Sequence, residues 1–182
     1  MRTKYDLIIG IDPDTEKSGV AIMSVQAHAF QLRSLALPEL LDTVTSLIDD
    51  FEQPEEPLSL NKGTKAAVVL EIDREHLHNW HLAKNDTRNS AASKGFDQGR
   101  CFQTAAAISE ILRSRGITVI EKAPLIKCWS GKDRKITHDE IFRLKDIHII
   151  TAGKTNQEQR DALLLALDIS ELPIILLPKK NR

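Results

Sequence analysis

The sequence has few of the features that mark disulfide-rich, cysteine-zinc or membrane proteins. It contains two cysteines, Cys101 and Cys128, without a CxxC spacing, so neither a disulfide framework nor a cysteine zinc site is predicted. No apolar run approaches the roughly 18–20 residues that cross a bilayer, and the segment from Met1 to Asp6 is polar. We therefore expect a cytoplasmic protein without membrane contact, in which both cysteines are reduced and buried.

The net charge also lacks a strong sign. A formal charge of −1 does not identify a partner, because a nucleic-acid protein needs only one basic surface. Basic residues cluster at two places. The first cluster consists of Lys127, Lys132, Arg134 and Lys135, and the second is the end of the chain at 178–182. Charge runs are most often solvated faces, so these clusters favour nucleic-acid binding only weakly.

Length and composition predict one globular domain over residues 1–182. A chain of 182 residues with 41% hydrophobic residues is long enough to close a single core. No internal repeat or low-complexity tract interrupts it. Two segments stand apart, a polar stretch at about 73–94 that we interpret as a long loop or a helical hairpin, and a C-terminal tail at about 173–182.

The first third of the chain predicts an antiparallel meander followed by a helix. Short apolar segments at 5–12, 19–25 and 30–35 are separated by short connections, which is typical of neighbouring antiparallel strands. In residues 38–51 the apolar positions recur at helical spacing and indicate an amphipathic helix.

The remainder alternates strands and helices, which indicates the α/β class. A strand is predicted over 66–72, a helix over 96–115 that ends at Gly116, and a strand over 117–121. The expected architecture is a five-stranded mixed sheet flanked by helices.

Shorter elements are predicted near the C-terminus. A short helix is expected at 124–129, and capping boxes at Thr137–Glu140 and Thr155–Glu158 each precede a helix, the first running through Leu144. The apolar segment 173–178 predicts either an edge strand or a subunit contact.

Three acids fall where elements end or begin. Asp12 ends the first strand, Glu71 ends the 66–72 strand, and Asp161 lies in the first turns of the last helix, with Glu158 on the same helical face. Magnesium prefers carboxylate oxygens, and two such ions can activate a water and stabilise the leaving oxygen of a phosphodiester. The pattern therefore predicts metal-dependent phosphodiester hydrolysis.

Each acid also has a purely structural explanation. Asp12 before Pro13 fits a turn, and Glu71 fits a solvated strand exit. Glu158 fits a capping box, and Asp161 fits a first-turn acid that complements the helix dipole. Spacing does not decide between these explanations residue by residue.

The order of motifs resembles the RuvC family of Holliday junction resolvases, within the ribonuclease H-like superfamily. The matching segments cover nearly the whole chain and are Ile9–Pro13 with Gly19–Ala21, Leu70–Glu71, Lys94–Arg100, Lys135, and Glu158–Leu163. The chain differs from the family in having Asp14 after Pro13 and Glu158 where an Asp is usual.

The resemblance implies an activity and a site. It implies a ribonuclease H-like fold and a homodimer that cuts branched DNA and leaves a 5′-phosphate, using two Mg²⁺ ions for which Mn²⁺ can substitute. It also implies that Lys135 lies near the scissile phosphate and that four acids bind the metal ions, namely Asp12, Glu71, Glu158 and Asp161.

The sequence also contains residues that suit nucleic-acid contact. Trp80 is flanked by His76, His78 and His81, and we interpret the tryptophan as a stacking platform in preference to a histidine zinc site, which lacks a fourth ligand. Packing of Trp80 beneath a loop stays open. The expected DNA-contacting residues are Trp80, Arg100, Lys132, Arg134 and Lys135.

The sequence has features in common with three other kinds of protein. A YqgF-type nuclease acting on RNA precursors shares the first-strand motif, although the 94–100 segment and Lys135 favour the resolvase branch. A non-catalytic nucleic-acid binding module would not need the full set of acids. An actin-like or sugar-kinase ATPase needs two such domains, for which the chain is too short.

Overall fold

A six-stranded mixed sheet organises the chain. The structure is a computed structural model that describes residues 4–52, 65–74 and 86–178. Its elements are β1 (Leu7–Asp12), β2 (Ser18–Ser24), β3 (Ala29–Leu35), α1 (Leu37–Glu52), β4 (Ala66–Glu71), α2 (Arg88–Ser114), β5 (Val119–Lys122), α3 (His138–Ile141), β6 (His148–Ile150) and α4 (Gln157–Ser170), with one 3₁₀ turn at Lys132–Arg134.

The strands are ordered β5-β4-β1-β2-β3-β6. Strands β1, β2 and β3 form the predicted antiparallel meander, whereas β4 runs parallel to β1 and β5 runs parallel to β4. This confirms the α/β class and the mixed sheet flanked by helices. The expected number of five strands is wrong, because β6 pairs in parallel with β3. With only three residues, β6 is too short to show an alternating pattern.

The central strand β1 is buried on both faces. Ile8 belongs to the core that packs under α4, whereas Ile9 and Ile11 belong to a second core under α1 and α2. Because successive side chains of a strand point to opposite faces, Gly10 and Asp12 lie on the α4 face with Ile8.

Two glycines let α4 pack directly on the sheet. A Cβ added to Gly10 would lie 2.1 Å from the carbonyl oxygen of Ala162, and one added to Gly19 would lie 2.1 Å from the carbonyl oxygen of Glu158. Real side chains cannot occupy those positions, since the obstructing atoms belong to the helix backbone. The first turns of α4 are therefore held against the ends of β1 and β2.

Helix α2 begins earlier than predicted. Its N-cap is Thr87, whose hydroxyl accepts a hydrogen bond from the backbone N–H of Ser90 at 3.2 Å. The expected loop or hairpin at 73–94 is therefore helical from Arg88, and residues 75–85 lie outside the described part of the chain. No residue from Arg88 to Thr104 is buried, which explains why the apolar periodicity of this stretch is weak.

Several short predicted elements differ from the structure. Residues 124–129 are not helical, and α3 ends at Ile141 instead of Leu144. The apolar tail is not a strand of the sheet, because it forms one isolated bridge, between Leu176 and Leu144. The cysteines are reduced but not buried, as Cys101 is half-buried and Cys128 is exposed. Cys128 lies in the extended 123–130 segment, where no packed helix covers it.

One finding concerns membranes. Within residues 4–52, 65–74 and 86–178, no helix combines the length and the apolar character needed to cross a bilayer.

The Gly19→Ala substitution tests the contact between β2 and α4. We expect it to destabilise the protein by roughly 1–3 kcal/mol or more, because the new Cβ meets the backbone of Glu158 and forces α4 away. Gly99→Ala is the control, because no atom lies within 4 Å of its added Cβ and alanine favours helices by about 0.5–1 kcal/mol. Urea unfolding of both variants measures the difference, and an equal effect of the two substitutions contradicts the packing.

Candidate active site

Asp12 and Glu71 lie side by side at one edge of the sheet. Their strands are parallel neighbours with Ile11 aligned to Leu70, so the next residue of each strand is its acid. Glu71 follows Val69 on the α4 face of β4, as Asp12 follows Gly10 on the α4 face of β1. Adjacent strands are about 4.8 Å apart, so the two carboxylates share one small region.

Helix α4 brings Glu158 and Asp161 to the same region. The close contact of Gly19 with the backbone of Glu158 sets this position, because Gly19 is paired with Asp12 across β1 and β2. Both acids of α4 are half-buried there. The structure thus brings the four predicted acids to one end of the sheet.

The capping of α4 differs from the prediction and changes the interpretation of Glu158. Asn156 is the N-cap, and its side chain accepts from the N–H of Gln159 at 2.9 Å while the Gln159 side chain accepts from the N–H of Asn156 at 3.1 Å. The predicted Thr155–Glu158 box is therefore wrong by one residue. Asn is as good an N-cap as Thr, which explains the shift. The capping role that accounted for Glu158 thus belongs to Gln159.

Burial raises the pKa values of Asp12, Glu71 and Asp161, and repulsion adds to the effect on Asp12 and Glu71. Burial, and then the negative charges of Glu71, Asp161 and Glu158, raise the pKa of Asp12 to about 8. Burial and the charge of Asp161 raise the pKa of Glu71, and burial raises the pKa of Asp161. A raised carboxyl pKa lowers the stability of the folded protein at neutral pH. Strong shifts of this kind are therefore typical of functional sites, where the chemistry requires them.

The donor set suits a hard divalent cation, although the side chains are not gathered around one point. Buried carboxylates that repel one another are stabilised by a cation, and oxygen ligands are those that magnesium prefers. Among the described residues, no three Asp, Glu, His or Cys side chains are close enough to hold one ion.

Two lysines face the acids. Lys127 and Lys135 counteract the burial that raises the pKa values of Glu71 and Asp161. The two lysines and the two acids line one small cavity of about 20 Å³. These lining residues are Glu71, Lys127, Lys135 and Asp161. Lys135 was predicted at this place, whereas Lys127 was noted only as a member of a basic cluster. Both lysines therefore line the same cavity as the two acids.

The loop that carries Lys135 is held by a buried acid and a glycine. Glu140 accepts hydrogen bonds from the backbone N–H of Ser130 at 3.1 Å and of Thr137 at 2.9 Å. Burial would raise the pKa of Glu140, but these hydrogen bonds outweigh it and lower the pKa. Gly131 donates to the carbonyl of Lys135 at 3.0 Å, and an added Cβ would lie 2.4 Å from that oxygen. The loop is therefore a defined support for Lys135.

The other predicted DNA contacts are distributed around this site. Lys132 lines a groove of about 530 Å³ that also includes Lys135 and Lys154. Arg134 is exposed but is not one of the residues that line the groove. Arg100 is exposed on α2 and its guanidinium lies 5.8 Å from the ring centre of Phe96. Trp80 and the neighbouring histidines lie outside the described residues, so their predicted roles stay predictions.

Arg160 and Gln157 contribute to the site and were not predicted as site residues. Gln157 donates to the Asp161 carboxylate at 2.7 Å, and Arg160 donates to Gln157 at 2.9 Å. Their sequence signal is the i, i+3 and i, i+4 spacing from Asp161, which is too common on helices to be diagnostic.

Comparison with known proteins gives a likeness to solved structures. No protein-family model matches the chain, and no curated protein matches it. Among solved structures, the chain is similar to T. thermophilus RuvC in complex with Holliday junction substrate, with 12% sequence identity and a TM-score of 0.44. The match covers 91% of this chain and 94% of the other. A likeness of this strength does not assign the chain to that protein's family.

The Asp12→Asn variant tests the electrostatic strain of the acids. In EDTA we expect it to be more stable than the wild type by roughly 1–3 kcal/mol near pH 8. An acid whose pKa is about 8 in the folded state and 3.8 in the unfolded state loses stability as the pH rises between these values. The advantage of Asn should therefore shrink toward pH 4. Asp42→Asn, at an exposed site on α1, is the control. Urea unfolding from pH 4 to 9 measures both, and a pH-independent difference contradicts the strain.

The Glu140→Gln variant tests the support of Lys135. We expect a loss of roughly 1–3 kcal/mol at pH 7, because the amide N–H₂ must face a backbone donor that the carboxylate now satisfies. Since the pKa of Glu140 is lowered in the folded protein, its contribution is complete above the ordinary value of 4.5 and is lost at lower pH. Thermal unfolding from pH 3 to 7, beside exposed Glu16→Gln, checks both the size and the sign.

Proposed function

We propose that the protein is a magnesium-dependent endonuclease that hydrolyses a phosphodiester bond in branched DNA. The observation that carries the proposal is the convergence of Asp12, Glu71 and Asp161, from three separate elements, beside two lysines. Acids that were needed only for turns or helix caps would be solvated and would not raise one another's pKa values. The raised pKa values therefore favour the functional explanation of these acids over the structural one.

The acids provide the ligands for the cation. Asp12 is at the centre of the set, because its pKa responds to each of the other three acids. Glu71 and Asp161 complete the ligands, and Glu158 is available since it does not cap α4. When bound, magnesium would polarise the attacking water and neutralise charge on the leaving oxygen. With the pKa of Asp12 near 8, cation binding at neutral pH is expected to release a proton.

The lysines provide the contacts to the phosphate. Lys127 and Lys135 line the same small cavity as Glu71 and Asp161, so a phosphate group bound over the cavity would meet both positive charge and the acids. The groove that contains Lys132, Lys135 and Lys154 continues this positive charge away from the acids and suits the backbone of the bound strand. Asp133 and Asp139 also line the groove and reduce its net charge.

We infer branched DNA as the substrate from the order of the sequence motifs. The segments Ile9–Pro13, Lys94–Arg100 and Glu158–Leu163 occur in the order typical of junction resolvases. Helix α2 contributes the second of these segments and lies near the loop after Asp12. Burial raises the pKa of the Cys101 thiol on this helix, and the charge of Asp14 in the loop raises it further. A four-way junction has two strands to cut, and a homodimer would supply one site for each.

The cleavage assay uses the purified full chain with a synthetic four-way junction, a linear duplex and a structured RNA. We expect cleavage of the junction in magnesium and none in EDTA. Asp12→Asn, Glu71→Gln and Asp161→Asn should each lower the rate by about 100-fold or more, because each removes a ligand charge. Asp42→Asn on α1 is the matched control and should cleave like the wild type.

The outcomes distinguish the candidates. Preferential cleavage of the RNA supports the YqgF-type activity instead, and binding of all three substrates without cleavage supports a non-catalytic module. Unchanged cleavage by Asp12→Asn contradicts the assignment of the site. Light scattering after size exclusion, with and without the junction, measures whether the chain forms the expected dimer.

A further inference from the structure

The Asp161 carboxylate is held by a chain of two side chains on its own helix. Gln157 Nε2 donates to Asp161 Oδ1 at 2.7 Å, and Arg160 Nη2 donates to Gln157 Oε1 at 2.9 Å. The spacings from Gln157 are four and three residues, so the three side chains are neighbours on the helix surface. Among the described residues, Asp12 and Glu71 accept no such side-chain hydrogen bond, which makes Asp161 the acid with a defined orientation.

The chemistry of arginine fixes the direction of this chain. A guanidinium has only N–H donors, so the amide oxygen of Gln157 must face Arg160. The amide N–H₂ is then turned toward Asp161, where it can only donate. Rotation of the amide by 180° would place donor against donor at Arg160 and acceptor against acceptor at Asp161, and it would break both hydrogen bonds.

Arg160 is itself anchored to two neighbouring segments. Its Nε donates to the carbonyl of Ile136 at 2.9 Å, and its Nη1 donates to the carbonyl and the hydroxyl of Thr155. The Thr155 hydroxyl also lies 3.0 Å from Nδ1 of His138. All three guanidinium nitrogens of Arg160 therefore donate hydrogen bonds to other residues of the protein. Its side chain also lines the groove that contains Lys132 and Lys135.

We propose that Gln157 and Arg160 are positioning residues that hold Asp161 Oδ1 and leave Oδ2 for the cation. The bond to Ile136, the residue after Lys135, ties the same arginine to the loop that carries the phosphate contact. One guanidinium thereby fixes the relative position of an acid and a lysine of the site. The inference rests on the proposed function only in taking Asp161 as a ligand of a divalent cation.

Gln157→Met tests the positioning without a change of charge. Methionine has similar length and favours helices, but it cannot donate to Asp161. We expect magnesium to bind about 10-fold more weakly or worse, as measured by titration calorimetry, because outer hydrogen bonds commonly affect metal affinity by that amount. Gln159→Met is the matched control, since it removes a hydrogen bond from the same helical turn that does not involve Asp161. It should lower the stability but leave magnesium affinity within about twofold.

A second variant tests the role of Arg160. Arg160→Lys keeps the positive charge but loses the planar guanidinium with its several N–H donors. We therefore expect the side-chain N–H₂ signals of Gln157 in an ¹⁵N NMR spectrum to shift and broaden. The effect of Arg160→Lys on magnesium affinity should not add to that of Gln157→Met, because both variants break the same series of hydrogen bonds from Arg160 through Gln157 to Asp161. Additive effects, or unchanged Gln157 signals, contradict the inference.

The results separate this inference from the proposed function. Magnesium binding that Gln157→Met weakens and Gln159→Met does not supports the positioning role even if no nucleic acid is cut. Equal affinity of the wild type and Gln157→Met overturns it even if the protein is a nuclease. A wild-type protein that binds no magnesium overturns both.

Discussion

The close packing of α4 on the sheet is the constraint on which the site depends. Gly10 and Gly19 have no side chain, and the backbone of α4 occupies the space that one would fill. This contact sets where the first turns of the helix lie, and therefore where Glu158 and Asp161 stand relative to Asp12. A helix held at an ordinary distance by intervening side chains would leave its acids several ångströms further from the strand ends.

The same packing creates an electrostatic problem that folding alone does not solve. Three acids are half-buried beside one another, and burial raises the pKa of each. Repulsion from neighbouring acids raises the pKa values of Asp12 and Glu71 further. Proteins commonly tolerate such strain where chemistry needs it. Lys127 and Lys135 offset part of the repulsion, and the proposed cation would offset the rest.

Hydrogen bonds then determine which groups are rigid within this region. Glu140 fixes the loop that carries Lys135, and Arg160 joins that loop to the first turn of α4. Asp161 is oriented through Gln157, whereas Asp12 and Glu71 are positioned mainly by their strands. The arrangement thus combines one acid that accepts a side-chain hydrogen bond with two for which the described residues provide none.

The sequence by itself determined the α/β class, the first five strands and the acids at element ends, because buried strands and amphipathic helices leave periodic apolar patterns. It did not reveal β6, the early start of α2 or the cap at Asn156, since short or exposed elements carry little apolar signal. Only the tertiary structure decided that Asp12, Glu71 and Asp161 converge and that Gln157 and Arg160 support one of them. The convergence depends on how closely α4 approaches the sheet, which is set by contacts between residues far apart in the sequence. The spacing of Gln157 and Arg160 from Asp161 is visible in the sequence but is too common on helices to be diagnostic.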